Sequence, residues 1–380
     1  MNLLAACFVI LLIAGKLGAP RVADSRRHRH HHHHDDDDDD GSRRRSPPEG
    51  KQHLTQKLFV FGDDFADTGN GASDPDLGYN SREWRYPFGT SDTAHARRPS
   101  GRFSDGPVQS DFMAKIMGRR EAPPPYTYDD WADGIDANGL NFAVGDSGAL
   151  DTPAGVTRLG KQVQQLRRLL KDGRVERRDL RDSVALVAYS GNDYAYADDD
   201  TFDGLMETVV EELASVVSDL QDLGVGKVLV NTVPPFGCSP WLTRQFNYTA
   251  CDDRGNAGPD RHNAALRDRL GVGGGDDDAG GLMLLDVNSI ITGLVAPKGE
   301  EGSPSALAAR FTELLRPCCE ATDGDRGYCG LDGGYSLCDR PGEYFFWDTD
   351  HPTQAGWRAV MQLLQGPIMA FLGISNLEHF

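Results

Sequence analysis

Beyond its first twenty residues the chain has no run approaching the ~20 uninterrupted apolar residues of a membrane-spanning helix, so stable membrane insertion is not expected. Basic charge is also in short supply. The 39 Lys and Arg face 58 Asp and Glu, a formal charge of −19. Residues 1–50 hold eight bases and eight acids, so all the excess acidity lies in residues 51–380. Such a surface repels phosphate backbones, which argues against a nucleic-acid partner. There is no glycine loop of the phosphate-cradling kind and no pair of C-x-x-C knuckles, so neither a cofactor nor a metal centre is expected. Cysteine is scarce, seven in all, and Cys7 lies in the apolar N-terminal run. The remaining six form an even set, which in a secreted chain favours disulfides, with fifteen pairings open. Cys238 with Cys251 would close a short loop. Cys318 and Cys319 are adjacent, so they should reach separate partners in the cluster that ends with Cys329 and Cys338.

What is present suits a loop-rich globular enzyme: 39% hydrophobic residues and 44 glycines. Leu3 to Gly15 followed by small residues to Ala19 reads as a secretory signal over 1–19. Residues 20–55 carry six histidines between His28 and His34, six consecutive aspartates and Arg43-Arg44-Arg45. That composition buries too little apolar surface to offset ordering entropy, so a disordered tail is expected. The histidine run offers weak transition-metal binding, but a solvated low-complexity tract is the preferred reading. Asn247-Tyr248-Thr249 is a glycosylation acceptor, which agrees with a secretory route. The rest, 56–380, reads as one domain, with Gly273 to Asp278 as a surface loop.

Short β-branched runs alternate with helical periods from Lys57 onward. Leu58 to Phe61, Val184 to Tyr189, Lys227 to Asn231 and Leu282 to Asp286 are near-continuous apolar runs of the kind buried on both sheet faces. Met206 to Leu223 repeats at helical spacing, and Arg261 to Leu270, Ala306 to Leu315 and Gln354 to Leu372 are further predicted helices. Strand and helix in alternation imply right-handed crossovers and a mainly parallel sheet covered on both faces, an α/β protein. Ligands in such sheets bind beyond the carboxyl ends of the strands. Asp63-Asp64 and Ser190-Gly191-Asn192-Asp193 each follow a predicted strand, so both should lie on one rim.

At residue 64 a buried strand runs into a Gly-Asp turn, where a hydrolase would present a nucleophilic serine, and the residue is aspartate. Far downstream, Asp348 and His351 stand three residues apart, the spacing that lets an acid orient a general base. The motifs Phe61-Gly62-Asp63-x-Phe65-Ala66-Asp67-Thr68-Gly69-Asn70, Pro99-Ser100-Gly101-Arg102-Phe103-Ser104-Asp105-Gly106, Asn141-Phe142-Ala143, Gly191-Asn192-Asp193 and Phe346-Trp347-Asp348-x-x-His351-Pro352-Thr353 follow in order. Together they resemble the plant GDSL esterase/lipase family of SGNH hydrolases, over about Leu58 to Leu372.

The resemblance implies a three-layer α/β/α flavodoxin-like fold and hydrolysis of carboxylic esters by a secreted protein, expected to be a monomer. Substrates would be small-molecule or lipid esters or acylated polysaccharides; the loop from Ala122 to Asp136, with Pro123-Pro124-Pro125-Tyr126, Tyr128 and Trp131, either lines that cleft or packs as an aromatic loop. His351 corresponds to the general base, Asp348 to its orienting acid, and Asn192 to the oxyanion-hole amide. Gly148 matches the second oxyanion donor, Gly145 being the alternative register. Asp64 holds the nucleophile position. Where relatives commonly have a small residue, Asp146 also departs from the pattern. Three readings follow: an ester hydrolase by descent with activity lost or much reduced, a non-catalytic binding protein with an Asp64–His351 ion pair, or an enzyme with Asp64 as carboxylate nucleophile. Ser147 and Ser190 lie on other loops, without the turn that aims residue 64.

Overall fold

Leu58-Phe59-Val60-Phe61-Gly62 forms strand β1, buried at every position, and the alternation of its side chains divides the molecule into two apolar layers in a computed structural model. The structure describes residues 56–73, 75–128, 134–152, 155–195, 197–198, 200–272, 281–296, 306–322, 328–331 and 334–375. The expected signal, the tail, the 273–278 loop and Trp131 lie outside them. Strands β2 (Gly139–Asn141), β3 (Val184–Ala188), β4 (Lys227–Asn231) and β5 (Leu282–Leu285) complete a five-stranded sheet of order β2-β1-β3-β4-β5 in which every pair is parallel. That is the flavodoxin-like order.

The helices are α1 (Gln109–Ile116), α2 (Leu159–Lys171), α3 (Arg177–Arg181), α4 (Phe202–Leu223), α5 (Pro240–Thr243), α6 (Asp253–Leu270), α7 (Val287–Val295) and α8 (Gln354–Leu372). Leu58, Val60, Leu186 and Leu229 face Phe112, Ile291, Trp357 and Ile368, which puts α1, α7 and α8 on one side. Phe59, Phe61, Val187 and Val230 face Val163, Leu166, Leu213 and Leu266, which puts α2, α4 and α6 on the other. The result is a three-layer α/β/α fold, as both-face burial of the strands requires. No described helix is long and apolar enough to cross a membrane.

One predicted element is corrected. Ala306 to Leu315 is not a helix: a single 3-10 turn at Ala308–Arg310 leads into strand β6 (Glu313–Pro317). Phe311 and Leu315 are spaced like a helix face, but the segment's partner is remote. β7 (Cys319–Ala321) pairs with β8 (Tyr335–Leu337), and β6 runs parallel to β9 (Tyr344–Phe346), the strand that delivers Asp348. Leu282 to Asp286 is shortened by one residue, because Asp286 caps α7 by accepting from Ser289 N at 3.2 Å.

Disulfides join Cys238 to Cys251, Cys318 to Cys338 and Cys319 to Cys329, so the adjacent cysteines do take separate partners. Cys318 N and Cys319 N donate to Phe346 O and Trp347 O at 3.0 and 2.7 Å, tying the bridges to the strand before Asp348. Replacing Cys318 and Cys338 with alanine is therefore expected to cost about 3 kcal/mol, the entropic contribution of a loop of this size. Urea melts would read it; a loss below about 1 kcal/mol would mean that β-pairing alone holds this hairpin.

Candidate active site

The turn after β1 is built for close approach. Gly62 has φ +138°, and a Cβ there would sit 2.2 Å from Ala188 O, so only glycine lets β1 leave the sheet beside β3. Gln162 clamps the glycine from α2: Gly62 N donates to Gln162 Oε1 at 2.9 Å and Gln162 Nε2 donates to Gly62 O at 2.8 Å. The buried Asp63 carboxyl accepts from Ser190 N at 2.6 Å, fastening this turn to the one after β3. Burial and the neighbouring Asp64 charge push Asp63 well above the usual carboxylate range. Asp67 fixes the rest of the loop, accepting from Gly69 N, Asn70 N and Gly145 N at 2.7, 2.7 and 2.8 Å.

Residue 64 is thereby aimed at the imidazole. Asp64 Oδ2 lies 3.9 Å from His351 Nε2, with both side chains about 5% exposed. His351 Nδ1 and Asp348 Oδ1 are 2.7 Å apart, and the same oxygen accepts from His351 N at 3.0 Å. The loop carrying them is pinned by the Arg102-Phe103-Ser104-Asp105 segment: Ser104 Oγ donates to Pro352 O at 2.9 Å, and Gln354 N donates to Asp105 Oδ1 at 2.7 Å. Phe103 covers the imidazole with ring centroids 5.2 Å apart.

The amide donors converge on Asp64 itself. Asn192 Nδ2 donates to Asp64 Oδ2 at 3.1 Å, and Asp146 N donates to Asp64 Oδ1 at 2.5 Å. Of the sequence-selected residues, Asp64, Asn192, Asp348 and His351 are brought together. Gly148 is not among the donors to Asp64. Its Cα faces Thr152 and the Asp193 carboxylate, where a Cβ would come within 2.8 Å of Asp193 Oδ1. The donor at that place is the N–H of Asp146, one residue beyond the alternative Gly145. Ser147 Oγ donates to Thr157 O at 2.9 Å and accepts from Gln162 Nε2 at 3.1 Å, so it is engaged away from His351. Asn247 is exposed at φ 51°, inside the loop closed by Cys238 and Cys251.

The electrostatics follow from this packing. Burial opposes charge on His351, but Asp348 and Asp64 outweigh it and raise the imidazole to about 10. Burial likewise opposes charge on Asp64, yet the neighbouring His351 imidazolium, with Arg82, lowers it to about 2. The resting site is a carboxylate–imidazolium–carboxylate array. Asp146 turns its carboxyl toward Arg82 at 3.8 Å, and burial together with the Asp64 charge lifts it to about 6.

Arg82, Glu83, Phe103 and the Asp146 N–H were not singled out as site residues by sequence. A cleft of about 280 Å³ runs beside Asp146, with Glu83, Phe103, Tyr126, Phe142 and Val144 among its walls. Glu83 is 1% exposed, one of its carboxyl oxygens has no hydrogen-bond partner, and burial raises it to about 8. Because the folded value lies above the unfolded one, the stability tied to this proton is complete below about 4.5 and is lost as pH rises through about 8. Glu83→Gln should therefore be stabilising relative to wild type, by on the order of 2 kcal/mol at pH 8 and by little at pH 4.5. Urea midpoints at the two pH values measure this; an equal effect at both would mean that Glu83 stays ionised.

A flavodoxin-like sheet that brings an Asp–His dyad and amide donors to the turn after its first strand defines a hydrolase of the SGNH class. The family model described as GDSL-like Lipase/Acylhydrolase matches residues 58–364, and the chain belongs to that family of ester hydrolases. It is 32% identical over 338 residues to GDSL esterase/lipase At3g09930 of Arabidopsis thaliana, covering 84% of this chain and 90% of that one. It is 33% identical to GDSL esterase/lipase At5g03600 of the same plant, covering 83% and 95%. Among solved structures, it resembles Axe2, an acetylxylan esterase from Geobacillus stearothermophilus, with a TM-score of 0.36, 12% identity, and 84% and 95% of the two chains covered.

Proposed function

We propose that this protein is a secreted member of the ester-hydrolase family in which acyl transfer to residue 64 is silenced, leaving a scaffold that still binds ester-like ligands. The observation that carries the reading is the position of the Asp64 carboxylate on the two amide donors that would otherwise receive a substrate oxyanion. Three effects add. Residue 64 offers His351 no hydroxyl to activate, and loss of the nucleophile in a serine hydrolase costs ~10⁶ in turnover. An oxyanion developing about 4 Å from the Asp64 charge meets a repulsion on the order of 4 kcal/mol at an effective dielectric near 20. His351 is already protonated, so it cannot take a proton at neutral pH.

The three disulfides and the exposed Asn247 support a secretory route. Lipid, small-molecule and acylated-polysaccharide esters remain the ligand classes, and the cleft with Phe142 and Val144 on its wall suits an apolar acyl group. The test is an activity measurement on the native protein: p-nitrophenyl acetate hydrolysis at background, with no labelling by a fluorophosphonate probe. Robust turnover with probe captured on any serine would refute silencing.

A further inference from the structure

The two donors engage Asp64, so the oxygen they are placed to stabilise belongs to residue 64. Asp64 Oδ1 sits on the Asp146 N–H and Oδ2 on Asn192 Nδ2. A substrate carbonyl attacked here would find no donor left. An ester whose acyl carbon is Cγ of Asp64 would find its carbonyl oxygen already in the oxyanion hole, beside an Asp348–His351 dyad able to activate water.

We propose that Asp64 is a nucleophile toward saturated carbon, that its substrate is an epoxide, and that the alkyl ester formed on Asp64 is hydrolysed at Cγ by the dyad. The proposal rests on the reading that Asp64, His351 and Asn192 form the site, and adds a reaction to it. Asp64 Oδ2 attacks one ring carbon, the C–O bond of the ring breaks, and the released oxygen takes the proton of His351 Nε2. The 3.9 Å gap between Oδ2 and Nε2 exceeds a direct hydrogen bond, so the imidazolium proton is not committed to Asp64. The neutral imidazole, oriented by Asp348 at 2.7 Å, then takes a proton from water as the water oxygen bonds to Cγ. Negative charge develops on Oδ1, against the Asp146 N–H. Collapse breaks the bond between Cγ and the alkyl oxygen, and that oxygen takes the acyl hydroxyl's proton through His351. A vicinal diol leaves, and the carboxylate and imidazolium are restored. One epoxide and one water are consumed, with no redox change and no co-reactant.

Two features favour an epoxide over other alkylating groups. The resting imidazolium supplies the proton that an opening epoxide needs to release its oxygen, whereas a departing halide has no use for one. The neighbouring cleft, with Phe103, Phe142 and Val144 on its wall, offers an apolar bed for the epoxide's substituent.

The test uses the full chain and styrene oxide. Wild type should form 1-phenylethane-1,2-diol at least 10³-fold faster than Asp64→Asn. A single turnover in H₂¹⁸O should place ¹⁸O in the Asp64 peptide, because water adds to Cγ. His351→Gln should accumulate an adduct of one epoxide mass on that peptide, slowly, since the variant lacks the proton donor as well as the base. Diol production equal in wild type and Asp64→Asn, ¹⁸O only in the diol, or an adduct on another residue would each overturn the proposal. So would the absence of both diol and adduct. If Asp64→Ser gains fluorophosphonate labelling while wild type is inert to epoxide, the site assignment stands and only the alkyl chemistry fails; vigorous acyl-ester turnover by wild type would instead strike the silencing reading.

Discussion

Asp64→Ser is expected to convert the protein into a working esterase: p-nitrophenyl acetate turnover should rise at least ~10³-fold, and a fluorophosphonate probe should label residue 64. Everything around the position is already arranged for a hydroxyl. Gly62 at φ +138° and the Gln162 clamp hold the turn, and the side chain points at His351 from a 3.9 Å carboxylate contact. Removing the carboxylate vacates the Asp146 N–H and Asn192 Nδ2, so a substrate oxyanion can occupy them; one such donor is worth about 3 kcal/mol. It also removes one of the two acids that raise His351, which moves the imidazole toward the range of a general base. Full family rates are not expected from one change. The Asp146 carboxyl stays near the hole, and the loss of Asp64 lets it ionise more readily. The double change Asp64→Ser with Asp146→Gly should therefore be faster still, and glycine also removes a non-glycine residue from φ 60°. A revertant that binds no probe and shows no gain would mean that His351 cannot reach a serine at this turn.

How far the site was legible follows from what each residue does. Runs such as Val184 to Tyr189, whose strand stops one residue earlier at Ala188, and Lys227 to Asn231 are readable because burial leaves a near-continuous apolar string. Strand β2 is three residues long and gave no periodic signal. The segment after Ala306 misled because Phe311 and Leu315 have helical spacing, while pairing with Tyr344–Phe346 decides its conformation from about thirty residues away. At the candidate site, Asp64, Asn192, Asp348 and His351 meet through side chains that lie in ordered motifs, and so could be placed. The second donor acts through a backbone N–H, and side-chain identity does not report which N–H of Gly145-Asp146-Ser147-Gly148 points inward. The positive φ of Asp146 aims it, and that is a property of the folded loop. Arg82 and Glu83 arrive from the 3-10 segment Pro75–Trp84, which carries no motif and reaches the site only through tertiary packing.

The imidazole of His351 should show no titration between pH 5 and pH 8.5 in wild type, and Asp64→Asn should shift its midpoint downward. The cause is the clustering: burial opposes charge on both groups, but Asp348 first and Asp64 after it hold His351 at about 10, and His351 holds Asp64 at about 2. The sign of the stability effect follows. His351 has a folded value above its ordinary 6.5, so its contribution is complete below 6.5 and is lost as pH rises through about 10. Asp64 has a folded value below its ordinary 3.8, so its contribution is complete above 3.8 and is lost as pH falls through about 2. Asp64→Asn should therefore be most costly between about pH 4 and 6.5, with the deficit shrinking toward pH 10 and toward pH 2. Breaking one partner of a buried ion pair costs about 3 kcal/mol at the low end. The low end applies because Asp64 also crowds Asp63, Asp67 and Asp146, each of which it pushes upward, and the amide relieves that repulsion. Histidine ring proton shifts and thermal melts across this range measure both effects. A wild-type midpoint near 6.5, or a deficit that grows toward pH 10, would show that Asp64 and His351 do not pair, and the account of why acyl transfer is silenced would lose its electrostatic half.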